Sequence, residues 1–252
     1  MIAETRYQII LDTLRRQRSA TVQELADILD TSVSTVRRDL ITLDSQGRLV
    51  KVHGGAALSE AQLTAAEPDM LTKESMNIPE KQVIGRLAAS MIRADDFVFI
   101  DAGSTTLQLV NAIEGEALKA TYVTNGLAHS RALAQKGCSV YVLGGRVRRR
   151  TEAIVGATAL SSLSKYNFTK AFLGVNGISI DRGFTTPGIE EREIKAAVVR
   201  LSGESWFLAD GSKFDTVCSA GICGIKSAGI ITNRLPNEKY LSYTTIKEAE
   251  QL

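Results

Sequence analysis

Six apolar, β-rich runs in the C-terminal part of the chain share one grammar: each ends in a small or polar cluster, and a helical pattern often follows. FVFID stops at Asp101 before AGSTT, TYVTN at Asn125, and VYVLGG at Gly145. AFLGVNG stops at Gly177, SWFLADGS at Ser212 and GIITN at Asn233. The runs are continuously apolar rather than alternating, so both faces of each strand must be covered. Strands of that kind separated by helices predict a parallel sheet in an α/β fold.

In such sheets ligands bind beyond the carboxyl ends of the strands. The clusters there have suitable chemistry. AGSTT at 102–106 opens a helix and offers amides and hydroxyls to an anion. Thr124 and Asn125 add neutral hydrogen-bonding groups, and GGRVRRR at 144–150 joins a turn to Arg146, Arg148, Arg149 and Arg150. Asn176 and Gly177 form another polar turn, and Asp210 and Lys213 bring an acid and an ammonium. Any one cluster reads as an ordinary turn; five on one edge predict a pocket. Donors for an anion beside Asp and Asn for hydroxyls suit a sugar phosphate. GxGxxG and GxxxxGK[ST] do not occur, which disfavours dinucleotides and P-loop nucleotides.

The first 57 residues have a different period. Ile9, Ile10, Leu11 and Leu14 lie along one stripe of a helix over 4–17. After the turn RSAT, Thr21 and Glu24 form a capping-box pattern ahead of a short helix carrying Val22, Leu25, Ala26 and Leu29. Asp30 and Thr31 break it, and Ser32 is the next N-cap. In the helix over 32–46, Val33, Val36, Leu40 and Leu43 form the buried face, and Ser34, Thr35, Arg37 and Arg38 the opposite one. Gly47 ends it. RLVKVH then alternates as a strand would, closed by Gly54 and Gly55. Hydroxyls and arginines near the start of the second of two closely spaced helices predict a DNA-reading helix-turn-helix, with the basic strand as its wing. Lys51 and His53 on the wing are placed to meet phosphates. A helical cap with a solvated charged face is the bland alternative.

Charge alone would not have found this. Residues 1–57 carry eight basic against seven acidic side chains, and the whole chain has a formal charge of +2, so a non-specific nucleic-acid coat is disfavoured. Three cysteines without a CxxC indicate neither a disulfide framework nor a zinc site. No metal and no cofactor are expected. The start MIAETRYQII carries charges within its apolar stretch and no run approaches ~18 apolar residues, so a cytoplasmic protein without a membrane segment is expected. Residues 58–75 read as a linker with some helical character, which sets the expected organisation at 1–57, 58–75 and 76–252. A helix starting near Pro79 and carrying Ile84, Leu87, Ala88, Met91 and Ile92 opens the last segment.

The stretch TVQELADIL…TSVSTVRRDLITLDSQGRLVKVHGGA resembles the DNA-binding signature of DeoR-family transcription regulators. DAGSTT, VTN, LGGRVRRRTEAIVG, GVNGI, GFTTPGIEEREIK and ADGSKF resemble their sensor domain, so the likeness spans essentially the whole chain. The resemblance implies a winged helix-turn-helix plus a parallel-sheet α/β sensor related in fold to ribose-5-phosphate isomerase. It implies that Ser32, Ser34, Thr35, Arg37 and Arg38 serve DNA binding, on double-stranded operator DNA read by a dimer or tetramer. As effector contacts it implies Asp101, Gly103, Ser104, Thr105, Thr106, Thr124, Asn125, Gly144, Gly145, Arg150, Asn176, Glu190, Lys195, Asp210 and Lys213. Arg146, Arg148 and Arg149 compete with Arg150 for the phosphate. For Glu190 and Lys195 a solvated helix face, with pairs such as Glu191–Lys195, is the alternative.

The function expected is a non-enzymatic regulator, most commonly a repressor of a carbohydrate catabolic operon, controlled by a phosphorylated sugar. The rival is a sugar-phosphate isomerase-like enzyme with an appended DNA-binding domain, since Asp, Glu and Lys near a phosphate can move protons. An architectural DNA binder without an effector is the third. Spacing names neither the sugar nor the operator.

Overall fold

The computed structural model describes residues 3–17, 19–45, 48–52, 54–57 and 70–249. The chain divides into two compact units, Met1–Glu67 and Pro68–Leu252.

The first unit runs α1 (Ala3–Gln17), β1 (Ser19–Thr21), α2 (Val22–Leu29), α3 (Val33–Ser45), β2 (Val50–Val52) and β3 (Gly55–Ala57). Thr21 caps α2 as its spacing predicts: Thr21 Oγ1 accepts the Glu24 amide at 3.2 Å, and Glu24 Oε2 accepts the Thr21 amide at 2.8 Å. Asp30, in the left-handed region at φ 45°, ends that helix. Ile10, Leu14, Leu25, Leu29, Val36, Leu40 and Leu43 share one core. The RSAT stretch, expected as a turn, instead supplies β1. That strand pairs antiparallel with β3, which pairs with β2. The reason is Ala20, which enters the core between exposed Ser19 and Thr21.

The two wing glycines are fixed by geometry. Gly54 has φ +81°, and a Cβ on Gly55 would lie 2.2 Å from the Ala20 carbonyl oxygen. Gln46, Gly47 and His53 lie outside the described residues, as do residues 58–69 of the expected linker.

The second unit opens with α4 (Met70–Ser75) and α5 (Ile78–Ser90), the latter with Pro79 in its first turn. Residues 70–75 were expected within the connection. They form a helix of this unit because Met70 is buried and its amide donates to the Arg150 carbonyl oxygen at 3.0 Å. There follow β4 (Phe97–Ile100), α6 (Ser104–Ala112), β5 (Thr121–Thr124), α7 (Leu127–Gln135) and β6 (Ser139–Val142). A hairpin of β7 (Arg146–Arg148) and β8 (Ala153–Val155) leads to α8 (Ala157–Leu163) and β9 (Phe168–Gly174). Next come β10 (Gly177–Ser179), β11 (Gly183–Thr186), α9 (Ile189–Arg200) and β12 (Ser202–Leu208). The unit ends with β13 (Ala220–Cys223), β14 (Gly229–Thr232) and β15 (Ile246–Glu248).

Among the described residues, seven strands form one sheet in the order β15-β14-β12-β9-β4-β5-β6, every neighbouring pair parallel. Each run is apolar throughout because both faces are covered. Phe99, Val123, Leu173, Phe207 and Ile230 meet Leu163, Ile194 and Val198 of α8 and α9. Their neighbours Ile100, Tyr122, Phe172, Leu208 and Ile231 meet Ile84, Leu109 and Leu133 of α5, α6 and α7. A small antiparallel sheet, β10-β11-β13, flanks the first face. All six predicted runs become strands of the parallel sheet, so their ends share one edge. Among the described residues no helix is long and apolar enough to cross a membrane.

Candidate functional site

In the first unit, α3 is oriented by what it buries. Val36, Leu40 and Leu43 point into the core, and so does Asp39, whose carboxylate accepts the Arg6 Nε at 2.7 Å and a second guanidinium nitrogen at 3.0 Å. With that stripe fixed, Ser34, Arg37 and Arg38 stand exposed and Thr35 half-buried. Ser32 caps the helix through Thr35 N at 3.2 Å, and its hydroxyl also lies 2.9 Å from the Ser34 and Thr35 hydroxyls. Among the described residues nothing pairs with Arg37 or Arg38, so both guanidiniums are open to a duplex. Lys51 is exposed on β2, with its amide held by Asp44 Oδ1 at 3.1 Å.

In the second unit, the strand ends hold a buried polar floor. Lys195, on α9, donates to Asp101 Oδ2 and, at 2.9 Å, to the Gly174 carbonyl oxygen. Asp101 Oδ2 also accepts the Gly174 amide at 3.1 Å. Burial pushes the Asp101 carboxyl above the ordinary carboxylate range while Lys195 pulls it back. The solvated-face alternative for α9 therefore fails at Lys195 and Glu191, both buried.

Several of the implied contacts brace this floor. Asn125 Oδ1 accepts the Ala102 amide at 2.8 Å, and Asn125's own backbone oxygen accepts Ile154 N at 2.7 Å. Thr124 Oγ1 accepts the Gly126 amide at 3.0 Å. Thr106 Oγ1 donates to the Asp101 carbonyl oxygen at 2.6 Å and lies 3.0 Å from His129 Nε2. Asn176 Oδ1 accepts the Thr186 hydroxyl at 3.1 Å. Burial lowers His129 to about 4, so it is neutral at physiological pH. By contrast Gly103, which starts α6, has no side-chain cap, and the amides of Ser104, Thr105 and Thr106 in the first turn remain available to an anion.

The rim carries the charges. Asp210 Oδ1 accepts the Ser212 amide at 2.9 Å; its Oδ2 accepts Asn77 Nδ2 at 3.3 Å and lies 3.9 Å from Lys213 Nζ. Burial would raise the Asp210 carboxyl, but Lys213, Ser212 and Asn77 together hold it below the usual range. Gly144, Gly145 and Arg150 are exposed near the β7–β8 hairpin, while Arg148 is half-buried and pairs with Glu191 Oε2 at 2.6 Å. Glu191 also accepts the Thr151 hydroxyl at 2.6 Å. Glu190 pairs instead with Arg146 and stays partly exposed. Of the four competing arginines, Arg148 is the one anchored to α9.

Sequence reasoning passed over Glu191, His129 and Lys81. Lys81 sits on α5 with 6% of its surface exposed. The available signal was position: Lys81 precedes Ile84 by three residues and Ala88 by seven, which puts a cation on an apolar stripe.

With this geometry in place the comparisons are direct. Residues 6–62 match the DeoR-like helix-turn-helix domain, and residues 76–234 match the DeoR C terminal sensor domain. The chain is 39% identical over 251 residues to the uncharacterized HTH-type transcriptional regulator FruR of Bacillus subtilis (strain 168), covering 98% of both chains. It is 32% identical over 242 residues to the HTH-type transcriptional repressor GlcR of the same organism, covering 95% of this chain and 92% of that one. Among solved structures, ribose 5 phosphate isomerase A from Neisseria gonorrhoeae aligns at a TM-score of 0.41 and 16% identity, over 58% of this chain and 56% of that one. The chain belongs to the DeoR family of DNA-binding transcriptional regulators.

Proposed function

We propose that the chain represses an operon for carbohydrate catabolism and releases double-stranded operator DNA, or grips it, according to the occupancy of its sensor unit by a phosphorylated sugar. The observation that carries this reading is the meeting, on one edge of the parallel sheet, of the uncapped start of α6 with the Asp210–Lys213 corner. A phosphate would accept charge-assisted hydrogen bonds there, and Asp210 and Asn176 would accept or donate to hydroxyls. The name of GlcR supplies the repressor mode. On the DNA side Ser34, Arg37 and Arg38 address bases and phosphates, helped by Ser32, Thr35 and Lys51. The protein acts in the cytoplasm as a homo-oligomer, dimer or tetramer, on a repeated or palindromic operator. The effector must bind the DNA-competent and DNA-incompetent forms unequally, or nothing shifts.

Turnover is not expected. Asp101 is tied to Lys195, and Glu191 to Thr151 and Arg148, so neither carboxylate is free to take a proton from a bound sugar. Calorimetric titration with phosphorylated pentoses, hexoses and polyols, each beside its unphosphorylated counterpart, tests the reading. Tight binding of one phosphorylated member is expected, with its NMR spectrum unchanged on incubation. Binding by none, or conversion to an isomer, would remove it.

A further inference from the structure

Lys81 is a buried cation without a carboxylate of its own. Its Nζ donates to the carbonyl oxygen of Lys73 in α4, and among the described residues no acid forms an ion pair with it. Lys213, Asp210, Lys73 and Glu74 act on it through their charges, so this corner holds three positive groups against two negative. Burial first, and Lys213 second, push the Lys81 ammonium down to about 8. The other buried lysine, Lys195, has Asp101, and the mostly buried Lys170 has Asp96 at 2.6 Å.

An unpaired buried cation costs free energy unless something compensates it. The bond to Lys73 does not supply the need, because the Lys73 carbonyl also accepts the Met76 amide at 3.3 Å. A methionine at position 81 would fill the same apolar stripe without the charge. What the corner lacks is an anion.

We propose that Lys81 and Lys213 form the anion clamp of the sensor unit, and that an anion held there competes with the Lys73 carbonyl for the Lys81 ammonium and so loosens α4. This rests on the ligand-controlled reading above and adds where the negative group sits and what it moves. The helix is placed for that role. It follows directly on residues 58–69, which lead from the first unit. It is held at its start by the Arg150 carbonyl and at its end by Lys81, and it packs on α6.

The test uses the full chain in buffer free of phosphate and sulfate. Inorganic phosphate is one probe; glucose 6-phosphate and ribose 5-phosphate, beside glucose and ribose, are the others. Phosphate should raise the wild-type Tm. Lys81→Met should melt no lower than wild type without phosphate, yet bind phosphate at least tenfold more weakly, with Lys81→Arg restoring most of the affinity. Amide exchange in residues 70–75 should quicken when phosphate is added to wild type and not to Lys81→Met. Equal phosphate binding by wild type and Lys81→Met, or none by wild type, overturns the clamp; unchanged exchange in residues 70–75 overturns its link to α4. Should Lys81→Met not fold, Lys213→Gln carries the test: tenfold weaker phosphate binding at unchanged Tm supports the clamp, and unchanged binding overturns it. Phosphate held through Lys81 without binding of any phosphorylated sugar would keep the clamp and remove the sugar reading. A sugar phosphate bound equally by wild type and Lys81→Met would do the reverse.

Discussion

Lys195 donates at once to Asp101 Oδ2 and to the Gly174 carbonyl oxygen, joining the ends of the adjacent strands β4 and β9 through one buried ammonium. Removing one partner leaves the other charged and dry. Asp101→Ala should therefore destabilise the sensor unit by about 3–5 kcal/mol, read as a lower urea midpoint. Replacing both, Asp101→Leu with Lys195→Met, should recover part of the loss. If Asp101→Ala unfolds at the wild-type midpoint, the pair is not a structural tie.

The exposed guanidiniums of α3 touch nothing described in the fold, so removing one should spare stability and strike only DNA. Arg37→Ala should keep the wild-type Tm and effector affinity while weakening operator binding. If Arg37 meets a phosphate, the slope of log affinity against log salt should also fall by about 1. Anisotropy titrations at several salt concentrations measure both. Loss of effector binding in the same variant would contradict separated sites.

The wing depends on a close backbone approach. A methyl at Gly55 would sit 2.2 Å from the Ala20 carbonyl oxygen, which cannot move without parting β1 from β3. Gly55→Ala should abolish operator binding and lower the melting of the first unit, with effector binding retained. Wild-type operator affinity in Gly55→Ala would show that the wing packs otherwise.

His129 sets a pH dependence. Burial lowers its folded-state value from 6.5 to about 4, so between those values the unfolded chain takes up a proton that the folded one refuses. Its contribution is fully present above about pH 6.5 and is lost as pH falls toward 4. Chemical denaturation at pH 7.5 and pH 5 should show a smaller acid loss for His129→Gln than for wild type. Gln preserves a donor for the Gly103 carbonyl oxygen, 3.1 Å from His129 Nε2. Equal losses would mean the ring is protonated or solvated in the fold.

The parallel sheet was legible because doubly covered strands are apolar at every position: FVFI, with Phe99 on one face and Val98 and Ile100 on the other, could be read at sight. The α3 register was legible from Val36, Leu40 and Leu43. What escaped was short or charged. β1 has a single apolar residue, Ala20, and the β7–β8 hairpin hides among arginines, so neither leaves a periodic trace. Sequence spacing placed a carboxylate at the start of α9 but could not tell Glu190 from Glu191. Adjacent helical positions diverge by about 100°, and only the packing of α9 shows which turns inward. Asp39 and Lys81 both lie on apolar stripes. Such misplaced charges were readable as anomalies, though their partners, Arg6 and the Lys73 carbonyl, lie too far or too locally to be inferred from pattern.

The most direct test of the central claim is anisotropy of the purified full chain on DNA from upstream of its own gene, with phosphorylated sugars added one at a time. The account predicts salt-sensitive, sequence-specific binding that one phosphorylated sugar alters by tenfold or more while its unphosphorylated counterpart does not. Specific binding that no phosphorylated sugar changes, or no specific binding at all, would contradict it.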